Sequence, residues 1–354
     1  MTLVVKDNIY MSVGVIETFS TGATLLDCII GGGWPQGSII NIQGDSSSGK
    51  TLLILEAAAN FLLKYPNGKI GFTEREPSFS MDYVTSLGIP VDKIDFWQEI
   101  YTFEDWFTRA EEFKEALPEG TPGLLLLDSL DSLSDDAEMA RDITDGTFGG
   151  NKPKKISEAT RRIAGEFEER GITTMIISQL RDVLNSPVPM KKASGGRAVE
   201  FYSGVIIRLN EAFPNGKVKR VVGGVERVVG LNVHAKCNKC KVGPPFREGN
   251  LRLIFGYGVD DIVTNLEFLK TIDGGLEQVR PIGDVGFATE EENDKPKKGK
   301  KPAKEGTKST AIFTKKLMEL TKEEINERAN EIALLVKSIW TSIEASLAPK
   351  YKKY

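Results

Sequence analysis

Gly44-Asp45-Ser46-Ser47-Ser48-Gly49-Lys50-Thr51 has the spacing G-x-x-x-x-G-K-T. Glycines in a short polar loop let backbone N–H groups turn inward and cradle phosphate oxygens. A helix that starts at the end of the loop adds the positive end of its dipole. Lys50 can reach the β- and γ-phosphates of a nucleotide, and the Thr51 hydroxyl can ligate Mg2+. The apolar run Ser38-Ile39-Ile40-Asn41-Ile42 before the loop reads as a strand. Leu52-Leu53-Ile54-Leu55-Glu56-Ala57-Ala58-Ala59 after it reads as a helix. That strand–loop–helix order is the context a phosphate-binding P-loop requires.

A P-loop alone binds nucleotide, and the rest of an ATPase is sought at neighbouring strand ends. Leu124-Leu125-Leu126-Leu127-Asp128-Ser129 reads as a buried strand ending in an acid, where Asp128 can hold Mg2+ through water. The strand Lys69–Thr73 ends in Glu74-Arg75-Glu76, and a carboxylate there can polarise an attacking water. The residues alone leave Glu74 and Glu76 as alternatives. Thr173-Thr174-Met175-Ile176-Ile177-Ser178-Gln179 ends a further strand in an amide. A neutral donor such as Gln179 can bond a γ-phosphate and release it after hydrolysis, or it can simply anchor a loop.

These groups need a frame. Strand-like runs at Ile39–Gln43, Lys69–Thr73, Leu124–Asp128, Thr173–Ser178 and Val205–Leu209 alternate with helical patterns at Thr51–Tyr65, Phe79–Leu87, Thr102–Ala116 and Ser157–Arg170. Alternation of this kind predicts an α/β fold, a mostly parallel sheet flanked by helices. Val228–Val233 and Leu251–Phe255 have no helix between them and extend the sheet in antiparallel fashion. Asn8–Val13 alternates like a strand. The chain has 354 residues and a formal net charge of −4, so any nucleic-acid partner must be met by local basic segments. Three cysteines, Cys28, Cys237 and Cys240, make no disulfide framework and fit a reducing compartment. No apolar stretch has transmembrane length, so the expected location is cytoplasmic, with no membrane partner.

The organisation is expected to be a short N-terminal segment 1–18, an ATPase core 19–288, a charged flexible linker 289–308 and a helical C-terminal tail 309–354. In the linker four acids from Glu290 precede six lysines, interrupted by Pro296, Gly299, Pro302 and Gly306. Such a composition cannot bury apolar surface and predicts a disordered tether. In the tail Thr321-Lys322-Glu323-Glu324 reads as a capping box. Ile325, Ala329, Ile332, Ala333, Val336, Ile339, Trp340, Ile343 and Leu347 then form one apolar stripe. The stripe must pack on Ile312–Leu320, on the core or on another subunit. His234, Cys237 and Cys240 have ligand chemistry, but a structural zinc site takes four ligands and no second Cys/His pair exists.

Together these motifs, in this order, resemble the RecA family of recombinases, the bacterial branch most of all. The likeness begins at Ser20-Thr21-Gly22 and Leu25-Leu26-Asp27, and includes Gly37 and the P-loop. It continues through Phe72-Thr73-Glu74-Arg75-Glu76, Tyr83, Leu87-Gly88, Leu127-Asp128-Ser129 and Ser178-Gln179-Leu180-Arg181. It then takes in Gly195-Gly196-Arg197-Ala198, Phe201-Tyr202-Ser203, Lys239-Cys240-Lys241, Pro245-Phe246 and Phe255-Gly256-Tyr257-Gly258, covering roughly 18–270. The resemblance implies a RecA-like core that uses ATP and Mg2+. It implies that Glu76 activates water, that Tyr83 stacks on adenine beside Ser80, and that Gln179 senses the γ-phosphate. Lys239 and Lys241 would reach the ATP of an adjacent subunit.

Two DNA-contacting loops follow from the same resemblance. The first spans about Asp135–Lys155, with Phe148, Lys152, Lys154 and Lys155, and Arg161 lies on the helix after it. The second spans about Arg181–Arg197, with Val188, Met190, Lys191, Lys192, Gly195, Gly196 and Arg197. The implied activity is a DNA-dependent ATPase that forms a homo-oligomeric helical filament on single-stranded DNA, engages double-stranded DNA and exchanges strands. A paralogue that binds ATP and DNA as a mediator or regulator is the alternative, and a P-loop ATPase serving another partner is a third. The chain departs from the family at several points. Glu200 stands where bacterial members carry lysine, and Ser80 replaces an acid. No helical pattern corresponds to the family's N-terminal subunit clamp, and the tail has no clear counterpart. These departures suit a divergent recombinase, of a phage or of a cell, acting at the nucleoid or in an infected cell's cytoplasm.

Overall fold

The computed structural model describes residues 16–75, 80–139, 152–182, 191–212, 216–282 and 321–347. The expected strand at 8–13, the charged linker and Ile312–Leu320 lie outside the described residues.

Six parallel strands form the centre of one large sheet: β3 (Ile39–Gly44), β4 (Lys69–Glu74), β5 (Ile94–Phe96), β6 (Gly123–Asp128), β7 (Ile172–Asp182) and β9 (Val205–Glu211). Their spatial order is β9-β3-β7-β6-β4-β5. Beyond β9 the sheet turns antiparallel through β11 (Val225–Cys240), β12 (Glu248–Ile254) and β13 (Gly258–Val259). Two strands branch off: β10 (Lys217–Val222) pairs with β11, and β8 (Lys191–Ala193) pairs with β7. A separate small pair joins β1 (Thr18–Phe19) to β2 (Trp34–Pro35).

Strand geometry decides which side chains meet which helices. Successive residues of β6 point to opposite faces. Leu124 and Leu126 enter one core cluster while Leu125 and Leu127 enter another. All four are fully buried, each contributing about 1.5–3 kcal/mol relative to exposure. The unbroken leucine run is therefore a strand covered on both faces. Helices α1 (Thr24–Ile30) and α2 (Lys50–Lys64) cover the first face, joined by Val84 of α3 (Met81–Ser86). The second face is covered by α4 (Phe103–Ala116) and α6 (Lys152–Arg162). Helix α4 begins where the Thr102 side chain accepts the Asp105 N–H at 3.1 Å, and it turns Phe103, Trp106 and Ala110 inward. A one-turn helix, α5 (Asp136–Met139), follows β6, and α7 (Gly196–Tyr202) precedes β9.

A third cluster joins α8 (Asp261–Leu269) to the tail helix α9 (Lys322–Leu347). Thr321 and Glu324 form the reciprocal capping box, with bonds of 2.8 and 3.3 Å. Ile332 and Val336 are buried on Leu266, Leu269 and Val279, and Trp340 packs at a tilt on Phe268, ring centroids 5.8 Å apart. Arg247 clasps Glu344 with two bonds of 2.7 and 2.5 Å. The stripe thus packs on the core of its own chain, although Ile343 and Leu347 at its end are exposed.

Helix α6 starts at Lys152, five residues before the helix expected from Ser157. Pro153 reads as a breaker, but in the first turn its missing N–H is not needed. Lys152, Lys154 and Lys155 are therefore helical residues rather than loop residues.

Candidate nucleotide site and its link to the second loop

The parallel register brings the motif residues to one edge of the sheet. Gly44, the last residue of β3, lies opposite Gln179 of β7. Glu74, the last residue of β4, lies opposite Asp128 of β6. Both carboxylates are buried.

The loop after β3 has the form of an anion cradle. Ser47 takes φ of 59° and Gly49 of 86°, the left-handed region. A side chain at Gly49 would meet Leu253 at 2.2 Å, and one at Gly44 would meet Ser48 Oγ at 2.5 Å. Gly49 caps α2 without any side-chain acceptor, so the first-turn amides face the loop. Ser48 Oγ is buried and has no hydrogen-bond partner among the described residues. Buried polar atoms are nearly always satisfied, so this group fits an anionic ligand. Lys50 Nζ donates to the Asp45 carbonyl at 2.6 Å, and Ser46 lies on the same turn. Thr51 Oγ1 donates to Asp128 Oδ2 at 2.5 Å, a hydroxyl–carboxylate pair that suits Mg2+ beside a phosphate. Glu76 falls in 76–79, outside the described residues.

Tyr83 lies on α3, half-buried against the core around α2. Burial pushes its hydroxyl above the ordinary range, opposed by the backbone N–H of Gly256. Glu56 of α2 accepts the Val259 N–H at 2.9 Å, so the 255–259 turn, Tyr83 and the P-loop helix adjoin one another. Ser80 is the exposed residue that precedes α3.

From Gln179 the chain leaves the sheet as a narrow hairpin. Leu180, Arg181 and Asp182 pair with Ala193, Lys192 and Lys191. The Gln179 N–H donates to Asp131 Oδ2 at 2.9 Å, and its carbonyl accepts the Ser194 N–H at 3.1 Å. Arg181 pairs with Asp131 at 2.9 Å. Lys191 Nζ reaches Asp45 of the P-loop at 2.6 Å. Gly195 and Gly196 follow with φ of 85° and 68°, and Arg197 is exposed on α7. Val188, Met190 and Phe148 lie outside the described residues. On α6, Lys155 pairs with Glu104, while Lys154 and Arg161 line one surface hollow with Pro153, Ser157 and Glu158. Motif reading missed Asp131 and the Lys191–Asp45 pair. The only available signal was an acid three residues past Asp128.

Lys239 lies at the far end of β11 and donates to the carbonyls of Glu200 (2.9 Å) and Phe201 at the end of α7. Burial and then neighbouring Lys241 hold its ammonium below the usual lysine range. Lys241 is exposed. His234 turns to Asn250 at 3.0 Å and Glu248 at 3.6 Å, away from the Cys237–Cys240 pair. Among the described residues no group of three His, Cys, Asp or Glu side chains is arranged to hold a metal ion. No helix among the described residues is long and apolar enough to cross a membrane.

A sheet with a phosphate cradle after β3 and a hydroxyl–carboxylate pair at a nearby strand end defines a P-loop nucleotide-binding core. Residues 6–260 match the family model described as RecA N-terminal domain. The Protein RecA of Synechocystis is 31% identical over 246 residues, 69% of this chain and 66% of that protein. That of Rippkaea orientalis is 30% identical over 260 residues, 73% and 70% of the two chains. That of Clostridioides difficile is 30% identical over 264 residues, 73% and 71%. The chain belongs to the RecA family, and it spans about two thirds of the length of these relatives.

Proposed function

We propose that this protein is a DNA-dependent ATPase that assembles as a helical filament on single-stranded DNA and promotes homologous pairing and strand exchange. The observation that carries this reading is the joining of two sites: Gln179 stands in register with the first P-loop residue and also opens the second loop. Membership of a family whose relatives bear the name RecA supports the same reading.

In this reading the 44–51 loop, Ser48 and Lys50 hold the phosphates of ATP. Thr51 and Asp128 hold Mg2+, which supplies positive charge to the transferring phosphoryl group. Glu76 orients and deprotonates the attacking water. Lys239 leaves α7 and, with the exposed Lys241, supplies charge to the nucleotide of the next subunit, so hydrolysis waits for assembly. Lys191, Lys192 and Arg197, with Lys154 and Arg161 on α6, neutralise DNA phosphates.

Hydrolysis measured over a range of protein concentrations, with and without single-stranded DNA, tests the proposal. The rate per subunit is expected to rise with both. Mixtures of Lys50→Ala and Lys239→Ala/Lys241→Ala subunits are expected to recover activity that neither has alone. Hydrolysis indifferent to DNA would remove the DNA-dependent part, and no recovery in co-assembling mixtures would remove catalysis across subunits.

A further inference from the structure

The geometry points to Asp131 as a positioning residue that couples the nucleotide site to the root of the second loop. This rests on the reading of that loop as the DNA-responsive element. Asp131 follows Asp128 by three residues, within a single tight turn, Leu130–Ser132. The turn is braced from both sides: Ser132 Oγ donates to the Ser129 carbonyl at 2.7 Å and accepts the Ser129 N–H at 3.2 Å. Asp128 itself holds Thr51 at the cradle. A displacement at the Thr51–Asp128 pair is therefore carried to Asp131 by a stiff piece of chain.

The Asp131 side chain is only 6% exposed, and it gathers both ends of one loop. At the entry it accepts the Gln179 N–H at 2.9 Å and pairs with Arg181 at 2.9 Å. At the exit it accepts the Ser194 hydroxyl. Gln179 and Ser194 are bonded to each other as well, at 3.1 Å. One carboxylate thus ties Gln179 and Arg181 on one strand of the hairpin to Ser194 just after the other. Bonds to an ionised carboxylate are the strong ones, and this group serves three donors at once. A turn that only needed bracing would be served by Ser129 and Ser132. The Asp131 carboxylate instead faces the loop root.

The test uses the full chain and the variants Asp131→Ala and Asp131→Asn, each checked for folding by circular dichroism. The first measurement is the affinity for a labelled single-stranded oligonucleotide with and without a non-hydrolysable ATP analogue. The ratio of the two is the coupling. The second is hydrogen exchange at the Gln179 and Ser194 amides with and without the analogue, which needs no DNA. Affinity for a fluorescent ATP analogue is the control. We expect the alanine variant to keep that affinity within about twofold and to lose about tenfold in coupling, the usual scale of a coupling between sites. The nucleotide response of the two amides should vanish with it. The asparagine variant, which keeps one acceptor oxygen but presents N–H groups to Arg181, should fall between. It carries the test alone if alanine does not fold. Full coupling and an intact exchange response in a folded variant would overturn the proposal, as would a wild-type chain whose two amides ignore nucleotide. A nucleotide-dependent exchange response lost with Asp131, in a chain that binds no DNA, would sustain Asp131 and remove the DNA function instead.

Discussion

Thr51 and Asp128 are 77 residues apart in sequence and 2.5 Å apart at the site, which is the measure of what the fold does for the chemistry. The P-loop was legible in the sequence because its eight residues are contiguous and its flanks are a strand and a helix. The strand-end place of Asp128 was legible because an unbroken leucine run ending in an acid reads as a strand covered on both faces. The Lys191–Asp45 pair was not legible, since nothing local distinguishes Lys191 from Lys192. On the proposed function, Lys191 must leave Asp45 before it can meet a DNA phosphate. Removing the charges of Lys191 and Lys192 should weaken single-stranded DNA binding and flatten its salt dependence, by about 0.7 in slope for each phosphate no longer neutralised. An unchanged slope in titrations at several salt concentrations would move the DNA site elsewhere. Glu76→Gln should retain ATP binding and reduce turnover by about a hundredfold, the scale of a lost general base. Wild-type turnover in Glu76→Gln, with none in Glu74→Gln, would transfer the role to the neighbouring strand-end carboxylate.

Helix α9 shows where pattern reading succeeds and stops. Its start and its stripe were both visible, because capping boxes and i, i+4 spacing are local. Its docking site was not, because α8 and the Arg247 turn are distant in sequence. The β10–β11 hairpin was missed although Gly223-Gly224 stands between valines, both glycines taking positive φ (57° and 80°) in a two-residue turn. Only the second of its strands has neighbours on both sides, and the outer one is nearly all exposed, so alternation was weak. The tail also brings a charge. Asp27 and Asp261 are raised above the ordinary aspartate value of 3.8, first by burial, against hydrogen bonds from Thr21 and Thr24 and the nearby Lys337. A carboxyl raised in the fold contributes stability at low pH that is lost as pH rises through its folded value. Lys337 lowers both carboxyls, so Lys337→Met should raise them further and destabilise the chain only where they are ionised. The drop in melting temperature should be larger at about pH 7.5 than at about pH 4. An equal or larger drop in acid would show that α9 stabilises by packing alone.

At the scale of the molecule, one sheet carries two kinds of machinery. The parallel strands end in the candidate nucleotide cradle and the root of the second loop. The antiparallel extension carries Lys239, anchored here on α7, and leads into the exposed Lys241. The parallel core was readable from alternating strands and helices, and the antiparallel extension from strands without helices between them. Their lateral order was not, because strand neighbours such as β3 and β7 lie more than a hundred residues apart. On the proposed function these two halves act on the same nucleotide only when one subunit's lysines meet the next subunit's cradle. Electron microscopy of the purified chain with single-stranded DNA, Mg2+ and a non-hydrolysable ATP analogue tests it most directly. Continuous helical filaments that require both DNA and nucleotide are expected. Chains that bind both ligands yet remain dispersed single subunits would contradict it.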